Sequence, residues 1–468
     1  MPYTKEEIHE IVLSQREFFY SGKTLDIKFR KEQLKKLRKA LEDNEELLEK
    51  ALYEDLGRSE AEAYFCDIGD TIMEINEYIK GLRKWNKPET HFSGLAAFPS
   101  LITKVYKMPY GVSLIISPFN FPILLSIGVL AASIAGGNTA ILKMSSKSKN
   151  TTRVLKEILE KTFSKEYIAP IDGGHDVADY CLEARVDKIF YTGSPKVAKH
   201  VMEMASKNLT PVTLELGGET GNWCIVRKDA DLKDAARKIA FFKICNSGQV
   251  CININQVAVA KEVAEEFIEE LKKAIISQVG ENPHLNEEYP KLITHSAYLN
   301  IAEEAEKYRN RIVFGGIGDE TKDKYATTII YPVNVDEEIV NHEIFGPLLP
   351  VVPFNDNEVD QLLDVIARRE HGLALYIFTK NKRWAKRVMQ TQQYGGGCIN
   401  EVCLHIMVKG VPFNGTGHSG MGSYHGIWGF REFTHPSTVL FGHTHFNLSL
   451  REHPYSKTKK KLFSKFLK

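Results

Sequence analysis

GVSLIISPFNFPILLSIGVLAASIAGGNTAILK, residues 111 to 143, decides how the chain is built. Residues 112–116 form a short apolar run of β-branched and aliphatic side chains, closed by Ser117-Pro118. Residues 122–135 then supply a stretch long enough for a helix, and 138–142 return to a short β-like run. A strand, a helix and a second strand in this order read as a crossover unit, whose strands lie parallel and are covered on both faces.

The alternation continues on the C-terminal side. Strands are expected near 167–171, 187–192, 212–216 and 223–226, with helices near 150–163, 176–184 and 195–206. A second series follows, with helices at 231–245, 262–278 and 358–369 and strands near 255–260, 349–354, 373–379 and 396–400. The fold class is therefore α/β, with two parallel α/β domains in tandem. Upstream, Ile8, Ile11, Val12, Gln15, Phe18 and Phe19, then Leu34, Leu37, Leu41, Leu47 and Leu48, recur at helical spacing, so residues 5–87 are read as three helices. Residues 88–100, with two prolines and a glycine, read as a connector. Seven glycines between 410 and 429 imply backbone in tight turns or close to a ligand, a long surface loop being the plainer alternative.

Composition narrows the function classes. The chain has 468 residues, too many for one core, with 43% hydrophobic and 26% charged residues, a globular mixture. Lys plus Arg (61) balance Asp plus Glu (60), so no general attraction to nucleic acid is expected. The first ten residues are polar and no run of about 18 apolar residues occurs, so a soluble, cytoplasmic protein is expected. Seven cysteines, 66, 181, 224, 245, 251, 398 and 403, show no paired spacing for zinc, and no metal is expected. The last twelve residues carry six lysines between apolar positions; contact with an anionic membrane is the lesser reading and a solvated, frayed end the greater.

Several segments carry candidate chemistry. Cys251 ends NSGQVC (246–251), where glycine and short polar residues let the chain bend and leave an N–H free beside a sulfur. Asn120, in SPFNFP (117–122), sits between a strand and a helix, where its amide can donate to a developing alkoxide. Glu215 ends an apolar strand before Gly217 and Gly218, and burial there raises a carboxyl toward the range of a general base. YTGS (191–194) ends a strand and opens a helix, which favours an anion near Gly193 and Ser194. It is not GxGxxG, which argues against the usual dinucleotide pose. Lys143 and Glu343 carry groups able to bond a ribose diol.

In order and spacing, SPFNFP, YTGS, LTPVTLELGG (209–218), NSGQVC, HEIFGP (342–347), LALYIF (373–378) and PFNGTGHSGMGSYHG (412–426) resemble the aldehyde dehydrogenase superfamily, and within it the class 3 branch that takes fatty and aromatic aldehydes. The resemblance covers about residues 5–440. It implies Cys251 as nucleophile, Asn120 as oxyanion donor and Glu215 as base. Lys143 and Glu343 then contact the ribose diols, Gly193 and Ser194 the pyrophosphate, and Phe345 flanks the nicotinamide ribose of NAD or NADP. It implies Tyr64, Phe65, Phe121 and Phe413 along the substrate channel, hence a medium-chain aliphatic or aromatic aldehyde. It also implies a Rossmann-like cofactor domain (1–85 and 106–208), a catalytic domain (209–400), and a small β element (86–105 and 401–445) that joins subunits into a homodimer. Residues 446–468 remain as a basic tail.

Departures from the pattern matter too. Ser146 replaces a common acidic residue, which removes repulsion against a 2′-phosphate, so NADP is expected to serve at least as well as NAD. Ala198, Glu219 and Asn414 replace a frequent glycine, lysine and glycine. Cys245, six residues before Cys251, raises an inhibitory disulfide between them as an alternative to two free thiols. Two rival functions stay open: a coenzyme A-acylating or reductive enzyme, against which a hydrolytic base at Glu215 argues, and a silent scaffold, against which the full set of candidate groups argues.

Overall fold

The computed structural model describes residues 3–94, 97–446 and 449–466. Its first sheet runs, edge to edge, Gly420–Met421, Val212–Leu216, Lys188–Gly193, Val112–Ile116, Thr139–Lys143, Ile168–Ile171. All neighbours are parallel except the Gly420–Met421 edge. Both faces are buried, as the near-continuous apolar runs require: Leu114, Ile141 and Ile189 pack with Ile8, Val177 and Val201 on one face, while Ile115, Leu142 and Phe190 pack with Leu130 and Leu155 on the other. From Val112–Ile116 the chain builds outward in one direction, then returns to the other side of that strand with Lys188–Gly193. Strand order reverses there, and a crevice opens at the carboxyl ends, where doubly wound sheets bind ligands.

The second sheet runs Ile312–Phe314, Thr328–Ile330, Leu348–Phe354, Ile254–Ala260, Asn222–Val226, Ala374–Phe378, Gly396–Ile399, parallel throughout except at Ile312–Phe314. A third, antiparallel sheet joins Glu89–Phe92, Ile102–Pro109 and Thr434–Phe441. Phe92, Ile102, Val439, Leu440 and Phe441 are exposed on this ribbon.

The structure corrects the expected boundaries. Val212–Leu216 pairs with Lys188–Gly193 and so belongs to the first sheet, which moves the division from 208/209 to the turn before Asn222. Likewise 106–109 continue the ribbon strand, because Tyr106 to Pro109 pair with Ser437 to Thr434. The region 5–87 holds four long helices rather than three, Lys5–Tyr20, Ile27–Glu42, Glu45–Leu56 and Gly69–Trp85: Asp43-Asn44 breaks the leucine series, and Gly57, at φ 66°, ends the third. The connector contains the ribbon strand Glu89–Phe92. The helix His295–Lys307 and the strand Thr328–Ile330 were not anticipated.

The glycine-rich segment is not a surface loop. Its strand Gly420–Met421 pairs Gly420 with Glu215, and a Cβ at Gly420, whose φ is 136°, would collide with the Leu214 carbonyl oxygen. Close backbone approach is thus what that glycine supplies. In place of the frayed end expected, residues Lys457–Phe466 form a helix.

Candidate active site

The crevice at the switch point is a cleft of about 640 Å³, bordered by Asn120, Lys143, Ser146, Gly193, Ser194, Glu215, Cys251, Glu343 and Phe345. Nine of the thirteen residues singled out from the sequence therefore meet in one place, and a second, apolar cavity holds two more, Phe65 and Phe121. Leu125 and Cys251 border both, so the sulfur stands where cleft and channel join. Tyr64 lies outside the channel, exposed with its ring over Gly69, because it points one residue off Phe65 on the same turn. Phe413 is also off the channel, buried against Tyr424 and His425 at ring distances of 5.5 and 5.7 Å.

Local backbone explains how Cys251 reaches that junction. Asn246, Ser247 and Gly248 have φ of 49°, 53° and 77°, three left-handed residues in succession. Such a turn persists only where its surroundings enforce it. Here the Asn246 N–H donates to Glu62 at 2.7 Å, its side-chain amide donates to the Asn120 and Gln249 carbonyls at 3.1 and 3.0 Å, and Gln249 Nε2 reaches back to the Asn246 carbonyl at 3.0 Å. Downstream, Asn222 Nδ2 holds the Cys251 carbonyl at 2.8 Å.

A group that the sequence reading missed ties these segments together. The Arg58 guanidinium, fully buried, donates to Asn246 Oδ1 at 3.0 Å, to the Asn120 carbonyl, and to Asp67 at 3.1 Å, and lies 4.3 Å from the Phe121 ring centroid. Asp67 in turn accepts from the Ile123 and Leu124 N–H groups at 3.1 and 2.5 Å. Burial pushes its carboxyl up to about 7, against the opposing pull of Arg58. In sequence, an arginine and an aspartate nine residues apart in a helical region are most simply solvated, and only the fold discloses the pairing.

Electrostatics at the junction are those of a dry site. Both Glu215 oxygens are buried without a hydrogen-bond partner, and burial raises this carboxyl to about 7. Burial and the neighbouring Glu215 carboxylate push the Cys251 thiol well above its ordinary range. Burial, then Glu215, raises Glu343 to about 8; its carboxylate rests against Gly217, where a Cβ would collide with it. Asn120 Nδ2 donates to the Gln249 carbonyl at 3.2 Å and has a second N–H to offer.

At the other end of the cleft, Lys143 Nζ donates to the Met144 and Gly173 carbonyls, both at 2.8 Å, and burial lowers its pKa. Ser194 caps the helix Pro195–Ser206 through Val197 N–H at 3.5 Å. Ser146 is exposed, and the Lys147 ammonium beside it lies 5.1 Å from the Phe119 ring centroid. Cys245 and Cys251 are both free thiols bordering the apolar cavity, and the Cys245 sulfur lies 3.8 Å from that of Cys66. Among the described residues no group of three or more His, Cys, Asp or Glu could hold a metal, and no helix is long and apolar enough to cross a membrane.

Two mostly parallel sheets thus bring a partly buried thiol to the junction of a large cleft and a smaller apolar cavity, with two carboxyls and an amide around the cleft. The sequence profile of the Aldehyde dehydrogenase family matches residues 2–439, and the chain belongs to that family. It is 37% identical to the 4,4'-diaponeurosporen-aldehyde dehydrogenase of Staphylococcus aureus over 98% of this chain and 99% of that one. Aldehyde dehydrogenase family 3 member B1 of Bos taurus is 38% identical over 91% of this chain and 89% of its own. Among solved structures, the substrate-bound state of Staphylococcus aureus AldH superposes with a TM-score of 0.95 at 36% identity, covering 98% of this chain and 99% of the other. The protein is accordingly an aldehyde dehydrogenase, an oxidoreductase acting on aldehydes.

Proposed function

We propose that this enzyme oxidises apolar aldehydes, medium-chain aliphatic or aromatic, to carboxylic acids with NAD or NADP. The observation that carries the proposal is the position of Cys251, bordering both the large cleft and the apolar cavity, with Glu215 and Asn120 on the cleft wall.

The cleft fits a dinucleotide. Its volume lies within the range of cofactor sites, it sits at the switch point, and a twelve-residue helix presents its N-terminus there. Thr192 Oγ1, buried on the cleft wall, has no hydrogen-bond partner among the described residues. Gly193 leaves room that a Cβ would take from the Tyr191 hydroxyl. Ser194 and Gly193 would hold the pyrophosphate, Lys143 and Glu343 the ribose hydroxyls, and Phe345 would flank the nicotinamide ribose. Ser146, with Lys147 next to it, favours acceptance of a 2′-phosphate, so NADP serves at least as well as NAD. Bound there, the nicotinamide supplies the hydride acceptor.

The chain's own residues do the rest. The Cys251 thiol gives its proton to solvent water and attacks the aldehyde carbon as thiolate, and the resulting oxyanion is held by the Asn120 amide and the Cys251 backbone N–H; losing one such donor costs about 2.7–4 kcal/mol of barrier. Departure of hydride leaves a thioester on the sulfur. Glu215, a carboxylate of raised pKa, takes a proton from water, whose oxygen attacks the thioester and frees the acid. The exposed apolar ribbon, ending in the open edge Thr434–Phe441, supports a homodimer.

A panel of neutral aldehydes assayed with both cofactors tests the reading, with Cys251→Ser as control. Turnover at the parental rate in that variant refutes it.

A further inference from the structure

The apolar channel has one feature that its chemistry does not call for. Its wall is apolar, with Phe65, Phe121, Leu124, Phe241, Val250 and Leu404 among its members, yet Asp70 borders it too, the one carboxylate to do so among the described residues. Asp70 is partly buried on the first turn of the helix Gly69–Trp85, and no donor among the described residues meets its oxygens in a hydrogen bond. A carboxylate in such surroundings normally finds a partner, since burying it unpaired costs free energy.

Its neighbours do not neutralise it. One turn along, Glu74 adds a second buried carboxylate, already engaged: its Oε1 accepts from the Tyr78 hydroxyl at 3.2 Å and lies 3.0 Å from His425 Nδ1. Glu77 stands further along the same helix. On the packed segment, burial acts to lower the His425 pKa, but Glu74, Asp70 and Glu215 together outweigh it and the net shift is upward, so one imidazole faces several carboxylates and sits in contact with Glu74. Asp70 feels that cation only at a distance, shared with Glu74, and has no hydrogen bond or ion pair of its own among the described residues, so the cavity side keeps a net negative charge. Burial, with Glu74 adding to it, raises its carboxyl to about 6, so it is mostly ionised at neutral pH.

We infer that Asp70 is a specificity-determining residue, a charge filter in the channel wall that turns away aldehydes carrying a distal carboxylate and admits those that are neutral or end in a cation. The inference rests on the reading of this cavity as the aldehyde's channel and adds to it a sign of charge. An anion entering an apolar channel meets a like charge where little water screens it, whereas a quaternary ammonium of the same length meets its counter-ion. Semialdehydes are thereby excluded by repulsion as well as by lack of a partner.

The test compares straight-chain aldehydes of equal length ending in methyl, carboxylate or trimethylammonium, at pH 7.5, in the wild type and in Asp70→Asn and Asp70→Ser. Both substitutions relieve repulsion with Glu74, so folding is spared. In the wild type, kcat/KM should rank cation and neutral above anion. In either variant, the anion-to-neutral ratio of kcat/KM should rise by about tenfold or more and the cation-to-neutral ratio should fall. Inhibition of the wild type by alkyl carboxylates and alkyltrimethylammonium ions, the latter binding more tightly, reads the same preference without a variant. Leu404→Asp, on the channel wall, separates the two levels of the claim. If it depresses kcat/KM for the neutral aldehyde while the Asp70 variants leave both ratios unmoved, the filter is refuted and the channel stands; if none of the three variants alters KM for any aldehyde, the channel reading falls and the filter with it.

Discussion

The pH dependence of turnover puts the role of Glu215 to a quantitative test. Burial holds its carboxyl at about 7, and a general base works only when ionised. The ionised share is about one half at pH 7, about a tenth at pH 6 and about a hundredth at pH 5, so a deacylation-limited rate should fall close to tenfold per unit on the acid side. Release of hydride in the first turnover does not need that base. Rapid mixing of enzyme, aldehyde and cofactor should therefore show, below pH 6, a burst of reduced cofactor followed by a slow steady state. In Glu215→Gln the steady-state rate should drop by about 10² to 10⁴ at pH 7.5 and the burst should survive. The sign of a second effect is fixed as well. Because the Glu215 carboxylate pushes the Cys251 thiol upward, removing its charge lowers the thiol's pKa, and the burst in the variant should extend to lower pH than in the wild type. A Glu215→Gln enzyme that keeps its steady-state rate, or an acid limb unchanged by the substitution, would refute the assignment.

Further outcomes are expected. Asp67→Asn strands the buried Arg58 cation and should lower stability by about 3–5 kcal/mol, measured by denaturant unfolding, and kcat should fall with it because the segments of Asn120 and Asn246 both hang on that guanidinium. Ser146→Glu should move the NADP/NAD ratio of kcat/KM toward NAD by roughly tenfold, and no change would remove Ser146 from cofactor choice. Gly420→Ala, which drives a methyl into the Leu214 carbonyl, should displace the Glu215 strand and cost activity more than cofactor binding, read as kcat against the cofactor Kd. Leu440→Asp on the ribbon should shift sedimentation from dimer toward monomer; a wild type that sediments as a monomer would sink the dimer.

Much of this was legible in the sequence, for identifiable reasons. Strands such as Val112–Ile116 and Thr139–Lys143 announce themselves because both faces are buried and only Ser113, Thr139 and Lys143 interrupt the apolar pattern. The bend before Cys251 was legible as well, since asparagine, serine and glycine are residues that tolerate a left-handed turn. Other features had no local signal. Val212–Leu216 looks like the opening strand of the second unit until its pairing with Lys188–Gly193 is known. Arg58, Asp67, Asp70 and the Glu74–His425 pair look like the polar face of a helix and a loop histidine, and their burial is decided by segments far away in the chain. The helix His295–Lys307 was legible and missed: Tyr298, Ile301 and Ala305 mark its buried stripe at helical spacing.

One sulfur borders two cavities, and this bears on the order of events. On the proposed reading, the dinucleotide and the aldehyde would approach Cys251 by separate routes, and neither would have to leave for the other to pass. A spent cofactor can be exchanged for a fresh one while the acyl chain is still attached, and the acid can drain away behind an occupied cleft.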